Sequence, residues 1–175
     1  MTTHHRALDP QRLRDAFDQV EIPPDVNARV LALLADDLSL AIDTGDKDFG
    51  QRMHTGLKAL YGDCGGIALG PLMHGLPAPE SAFLLGSLIH SVEQDDTHVP
   101  SIVHGGAVLI PAALVAAVVH GRSGSDLLRA LVMGWELLIR LGLHAPGSFQ
   151  ARGFQASAVL GPIAAAVVSL SLIHI

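Results

Sequence analysis

Residues 86–111 read GSLIHSVEQDDTHVPSIVHGGAVLIP, and their pattern decides the fold. An apolar stripe at helical spacing enters the stretch from the left, through Ala82, Leu85, Ile89 and Val92. A polar break follows, carrying Glu93, Asp95, Asp96, Thr97, His98 and His104, and an uncharged apolar run leads away from it. Two apolar helices joined by a polar loop satisfy this pattern, and no alternation of period two is present to suggest strands. His90 and Glu93 lie three apart and share a neighbouring face of the first helix.

The same spacing extends outward in both directions. Toward the N-terminus it predicts a short helix over about 10–20, opened by Asp9-Pro10, after a loose tail. A second helix covers about 24–43 with Val26, Val30, Leu33, Leu34, Leu38 and Ile42 as its stripe. A third covers 46–60 with Phe49, Met53, Leu57 and Leu60. The glycine-rich 61–75 reads as a connector, because no Lys-Ser/Thr pair makes it a phosphate loop. Pro77-Ala78-Pro79-Glu80 starts the helix that ends near Val92. Beyond the central stretch, a helix over about 106–120 carries Pro111 early, where it is tolerated or bends the chain. Ser123 and Asp126 have capping-box spacing before a helix reaching Leu143, with Leu127, Leu131, Leu138 and Leu141 as core candidates. A last apolar helix is predicted over about 155–169. The fold class is all-α.

Composition narrows the function. One domain with a real core fits 175 residues. A net charge of −6 with only 11 scattered basic residues argues against a nucleic-acid surface. The single Cys64 and a polar N-terminus point to the cytoplasm. Mean hydropathy is +0.40, and residues 102–119 and 153–175 carry no formal charge. His104, Pro111, Gln155 and Pro162 interrupt these runs and no aromatic belt or basic flank accompanies them, so they read as buried helices and not membrane spans.

The polar break is where chemistry belongs. Three carboxylates at 93, 95 and 96 repel one another when ionised and partly buried, so one of them can retain a proton and act as general acid or base. Imidazoles exchange protons near neutrality. The alternatives are a solvated helix end with an Asp-Asp-Thr cap, or mixed O/N ligation of a metal by Glu93, Asp95, Asp96, His98 and His104. His90 alone reads as a hydrogen-bonded helix histidine, and Glu136 with Arg140 as an intrahelical ion pair. Arg152, ahead of Gly153-Phe154-Gln155 and a helix start, reads either as a contact for an anionic substrate or as a surface arginine.

Across about residues 20–168 the chain resembles the MmgE/PrpD family, which includes 2-methylcitrate dehydratases and cis-aconitate decarboxylases. The resemblance rests, in order, on IPPDVNARVLALLADDLSLAI, APESAFLLGSLIHSVEQDDTH, HGGAVLIPAALVAA, GRSGSDLLRALVMGWELLIRLG and RGFQASAVLGPIAAA. It implies the helical domain of a two-domain enzyme, active as a homodimer, with no required metal or cofactor. The implied reaction removes a proton beside a carboxylate of a small polycarboxylate and eliminates water. Decarboxylation or isomerisation within the family is the alternative, and a helical metal- or ligand-binding module is the rival of another class. By position, Glu93 matches an acidic site residue, Asp96 and Thr97 belong to the same pocket motif, and His104 matches a catalytic histidine. His104 or a carboxylate shuttles the proton, while Thr97 and Arg152 orient the substrate; His98 and Gln155 complete the substrate-binding set.

Three departures from the family pattern stand out. Glu93 replaces the usual Asp, and Gln155 replaces the His of a Gly-Phe-His motif, substituting a group that cannot shuttle a proton near neutrality. The third is length, since family members are longer and carry a lysine-bearing second domain. The expected organisation is a tail and short helix at 1–20, the family-like helical domain at 21–168, and a non-native tail at 169–175 that resembles sequencing-adapter read-through. A chain cut there would expose apolar surface and lack half of its active site.

Overall fold

The computed structural model describes residues 19–63 and 74–173. The helix expected over 10–20, most of the glycine-rich connector and Cys64 lie outside the described residues. Among those described, six α-helices and one 3-10 turn account for the regular structure: α1 Pro24–Gly45, α2 Asp48–Tyr61, α3 Ala78–His90, α4 Gly106–Val119, α5 Gly124–Leu143, the turn Gln150–Arg152, and α6 Ala156–Ile173. No sheet is present among them; one isolated bridge pairs His98 with Val103. The all-α expectation is met.

Each helix begins where local chemistry permits. Pro24 and Pro79 occupy first turns of α1 and α3, where a missing N–H costs nothing. The capping box at α5 is complete: Ser123 Oγ accepts from the Asp126 amide, and the Asp126 carboxylate accepts from the Ser123 amide. The core lies between α3, α4, α5 and α6, with Leu84, Leu85, Leu88, Ile89, Leu109, Ile110, Leu131 and Leu138 fully buried. Burial of each such side chain contributes about 1.5–3 kcal/mol before conformational entropy is counted.

Pro111 is buried inside α4 and shapes its packing. It has no N–H for the Ala107 carbonyl one turn back. That carbonyl faces Gly86 of α3, where a Cβ would approach it to 2.6 Å and Pro111 Cγ to 3.4 Å. Glycine is therefore required for α3 and α4 to come this close, and their approach fixes the two ends of the loop between them.

Several expected core positions are corrected. Ile42 is 64% exposed and Leu60 78%, and Phe49 is also exposed. The buried stripe of α1 is Val30, Asp37, Ala41 and Thr44, rotated from the purely apolar one. On α2 only Gly50 and Leu57 are buried, because α2 meets α1 and α3 and no other described element covers its outer face. Val92 falls beyond the end of α3. The last helix runs to Ile173 instead of stopping near 169, with Leu172 fully buried and Arg122 donating to the Leu172 and Ile173 carbonyls. Helix α6 is long and apolar enough to cross a membrane by length and composition, and 39% of it is buried against the rest of the domain. Its opposite face exposes Val159, Ile163, Leu170 and Ile173.

Candidate active site

The loop from 91 to 105 joins α3 to α4 and folds back on itself. His98 N–H donates to the Val103 carbonyl at 3.0 Å, and Ile102 N–H donates to the His98 carbonyl at 2.9 Å. Two of its residues, Glu93 and Ile102, have positive φ values of 51° and 54°. For β-branched Ile102 this is a strained conformation, costing about 1–3 kcal/mol that the surrounding contacts must offset. The result is a compact turn that buries Asp95 and Ser101 and leaves Glu93, Gln94 and Thr97 exposed.

At its centre stands Asp95, with a fully buried side chain. His90 Nδ1, from the last turn of α3, lies 2.9 Å from Asp95 Oδ2 and 3.1 Å from Oδ1. His104 Nδ1 lies 3.5 Å from Asp95 Oδ1 and 3.3 Å from Thr97 Oγ1. The two rings meet edge to face with centroids 4.9 Å apart. A backbone bond from His104 N–H to Ser157 Oγ, 2.8 Å, ties this point to the first turn of α6. One carboxylate thus faces the Nδ1 atoms of two imidazoles and leaves their Nε2 atoms for chemistry.

Asp96 faces the other way. Its Oδ1 accepts from the Gly106 amide at the N-terminus of α4, 2.5 Å, and its Oδ2 accepts from Trp135 Nε1 of α5, 2.9 Å. A negative charge at that helix start is favourable. Behind Asp96 lies Asp37 of α1, fully buried. Burial raises its pKa from the ordinary carboxyl value to about 7, and the nearby Asp96 charge adds to the rise. A carboxyl with its pKa near neutrality is therefore found at Asp37 on α1, outside the loop that carries Glu93, Asp95 and Asp96.

Two clefts flank the loop. One of about 390 Å³ is lined by His90, Ser91, Val92, Thr44, Lys47 and Phe49, with Ser87 at its side. The other, about 460 Å³, brings Asp96, Thr97 and His98 together with Arg29, Asp36 and Trp135. Both volumes suit a small ligand.

Of the site residues expected from sequence, the structure unites Thr97 and His104 around Asp95 and puts Asp96 against the loop's supports. His98 lines a cleft and bonds Ser101 Oγ at 2.7 Å. Glu93 is exposed at the rim; its amide bonds the His90 carbonyl. Arg152 is exposed in the 3-10 turn and donates to the Ser148 carbonyl, while exposed Gln155 receives the first amides of α6 through its backbone oxygen. Among the described residues no hydrogen bond joins either to the histidines. His90, Asp37, Trp135 and Ser157 were not singled out from sequence as site residues. A charge interrupting the stripe of α1 was the available signal for Asp37. A helix-terminal imidazole just ahead of a carboxylate pair was the signal for His90.

An all-α domain whose helix-joining loop buries one carboxylate between two imidazoles has the makings of a proton-transfer site. Residues 16–175 match the model of the MmgE/PrpD N-terminal domain, and the chain belongs to that family. It is also 38% identical over 104 residues to the cis-aconitate decarboxylase-like protein oryM of Aspergillus oryzae (strain ATCC 42149 / RIB 40). That match covers 54% of this chain and 22% of the relative, so the chain spans a minor part of that protein's length.

Proposed function

We propose that this chain is the helical domain of a lyase that eliminates water from a small polycarboxylate, in the manner of a 2-methylcitrate dehydratase, and that it acts within a longer protein. The observation that carries this reading is Asp95, buried and shared by His90 and His104. Eliminating water from a hydroxy acid needs a base for the proton beside a carboxylate and an acid for the departing hydroxyl. Neutral His104 takes the carbon-bound proton at Nε2. The electron pair forms the C=C bond, the C–O bond breaks, and protonated His90 supplies the proton that lets the hydroxyl leave as water.

Asp95 favours the imidazolium as it forms, without taking the proton itself. Thr97 and Arg152 orient substrate carboxylates, with His98 and Gln155 adding hydrogen bonds and Glu93 approaching from the rim. No cofactor has a part in this scheme. Cytoplasmic location and a homodimeric whole protein complete the proposal.

Loss of CO₂ is the second reading, favoured by the name of the Aspergillus relative. It uses the same residues, with a proton delivered to carbon instead of removed. A metal-binding role is the rival, because ligand atoms of His90, Asp95 and His104 lie within 4.8 Å of one another.

The test uses the full-length coding region, with 2-methylcitrate, citrate and cis-aconitate offered with and without chelator while the conjugated alkene and CO₂ are followed. Chelator-insensitive alkene formation that His104→Ala abolishes is expected. CO₂ release without alkene from the hydroxy acids selects decarboxylation, and loss of all turnover with chelator selects the metal reading.

A further inference from the structure

Asp37 is fully buried, and neither of its carboxyl oxygens has a hydrogen-bond partner. An ionised carboxylate can only accept, and one left buried without donors is costly. Its neighbour is another acid. Asp37 and Asp96 crowd the same side of Gly106, where a Cβ would overlap the Asp37 carboxyl and come within 2.7 Å of Asp96 Oδ1. Two bare carboxylates repel in this position, whereas an acid and a carboxylate attract, since the acid has an O–H to give. Asp96 is the natural acceptor: its Oδ1 already accepts from the Gly106 amide and its Oδ2 from the Trp135 indole, and each oxygen keeps a further lone pair.

We propose that Asp37 is a positioning residue that donates a carboxylic O–H hydrogen bond to Asp96, and that this proton-sharing pair clamps the turn carrying Asp95, Asp96 and Thr97 against α1 and α5.

The electrostatics agree. Burial is the largest cause of the rise to about 7; Asp96 follows, then Asp95 and Asp36, all acids. The Asp96 amide pulls the other way but does not reach hydrogen-bonding geometry. On the helices packed against α1, His90 is engaged with Asp95, Arg140 with Glu136, Arg52 with Asp48 and Lys58 with Asp63, and in the loop His98 is engaged with Ser101. His54 on α2, whose Nε2 is buried without a partner, is not among the groups that shift Asp37. Below pH 7 the clamp is closed; above it, Asp37 ionises and the two carboxylates push apart. The pairing is independent of the reaction proposed for the histidines.

The chain's single tryptophan, Trp135, bonds Asp96 directly and reports this event. Its emission is titrated from pH 5 to 8.5 in the parent and in Asp37→Asn, whose amide donates to Asp96 at every pH. A step with midpoint near 7 in the parent and a flat profile in the variant is expected. No step in the parent, or a step that persists in the variant and so belongs to a neighbouring histidine, overturns the proposal. Carboxyl-¹³C NMR of aspartate-labelled parent protein decides the matter even if the variant does not fold. One aspartate resonance titrating near 7 supports the pair, and every aspartate titrating in the ordinary range overturns it.

Discussion

His90 closes α3 and His104 closes the following loop, yet their rings meet edge to face, 4.9 Å apart, over the buried carboxylate of Asp95. Neither a helix nor the loop alone creates this meeting. It requires α3 and α4 to approach through Gly86 and Ala107, and it requires Ile102 to hold a strained left-handed turn that returns the chain to its start. Local strain offset by global packing is a common way to set reactive groups.

Gly86→Ala tests the helix approach. The added methyl meets the Ala107 carbonyl, which Pro111 leaves without its helical donor. Overpacking of this kind costs about 1–3 kcal/mol. Urea unfolding is expected to show that loss, and an unchanged midpoint would mean that the helices part without penalty.

Trp135→Phe keeps an aromatic ring in the core and removes the N–H that Asp96 Oδ2 accepts. A lost hydrogen bond to a charged group costs about 1.5–3 kcal/mol. The variant should unfold at correspondingly lower urea, and parent-like stability would show that the indole contributes bulk alone.

The pH dependence of stability follows from Asp37. Its pKa is raised in the folded chain to about 7, so between the ordinary carboxyl range and 7 the folded state binds the extra proton. This contribution to stability therefore falls as pH rises through that window and is gone above it. The melting temperature of Asp37→Asn relative to the parent should accordingly climb from pH 5 to 8. A difference that does not change with pH contradicts the assignment.

Much of this was legible in the sequence. Helical spacing, Pro24 and Pro79 at helix starts, and the Ser123–Asp126 box gave the described helices, because these signals act within a turn or two of chain. The loop from Glu93 to His104 was also legible as the reactive segment. What was hidden depends on tertiary geometry. The pairing of His90 with Asp95 depends on where α3 stops and how the loop reverses. Ile42 and Leu60 point outward because helical spacing shows that a stripe exists, not whether a partner covers it. Asp37 broke the apolar pattern of α1, but its proton depends on Asp96, which is remote in sequence and adjacent in space.

The most direct test of the account is the turnover of the full-length protein carrying Asp95→Asn, compared with its parent on whichever of the three polycarboxylates it accepts. The amide preserves shape but removes the charge that faces both imidazoles. A loss in kcat on the order of 10²–10⁴ in a folded protein is predicted. Turnover equal to the parent's would contradict the claim that a carboxylate between His90 and His104 organises the chemistry.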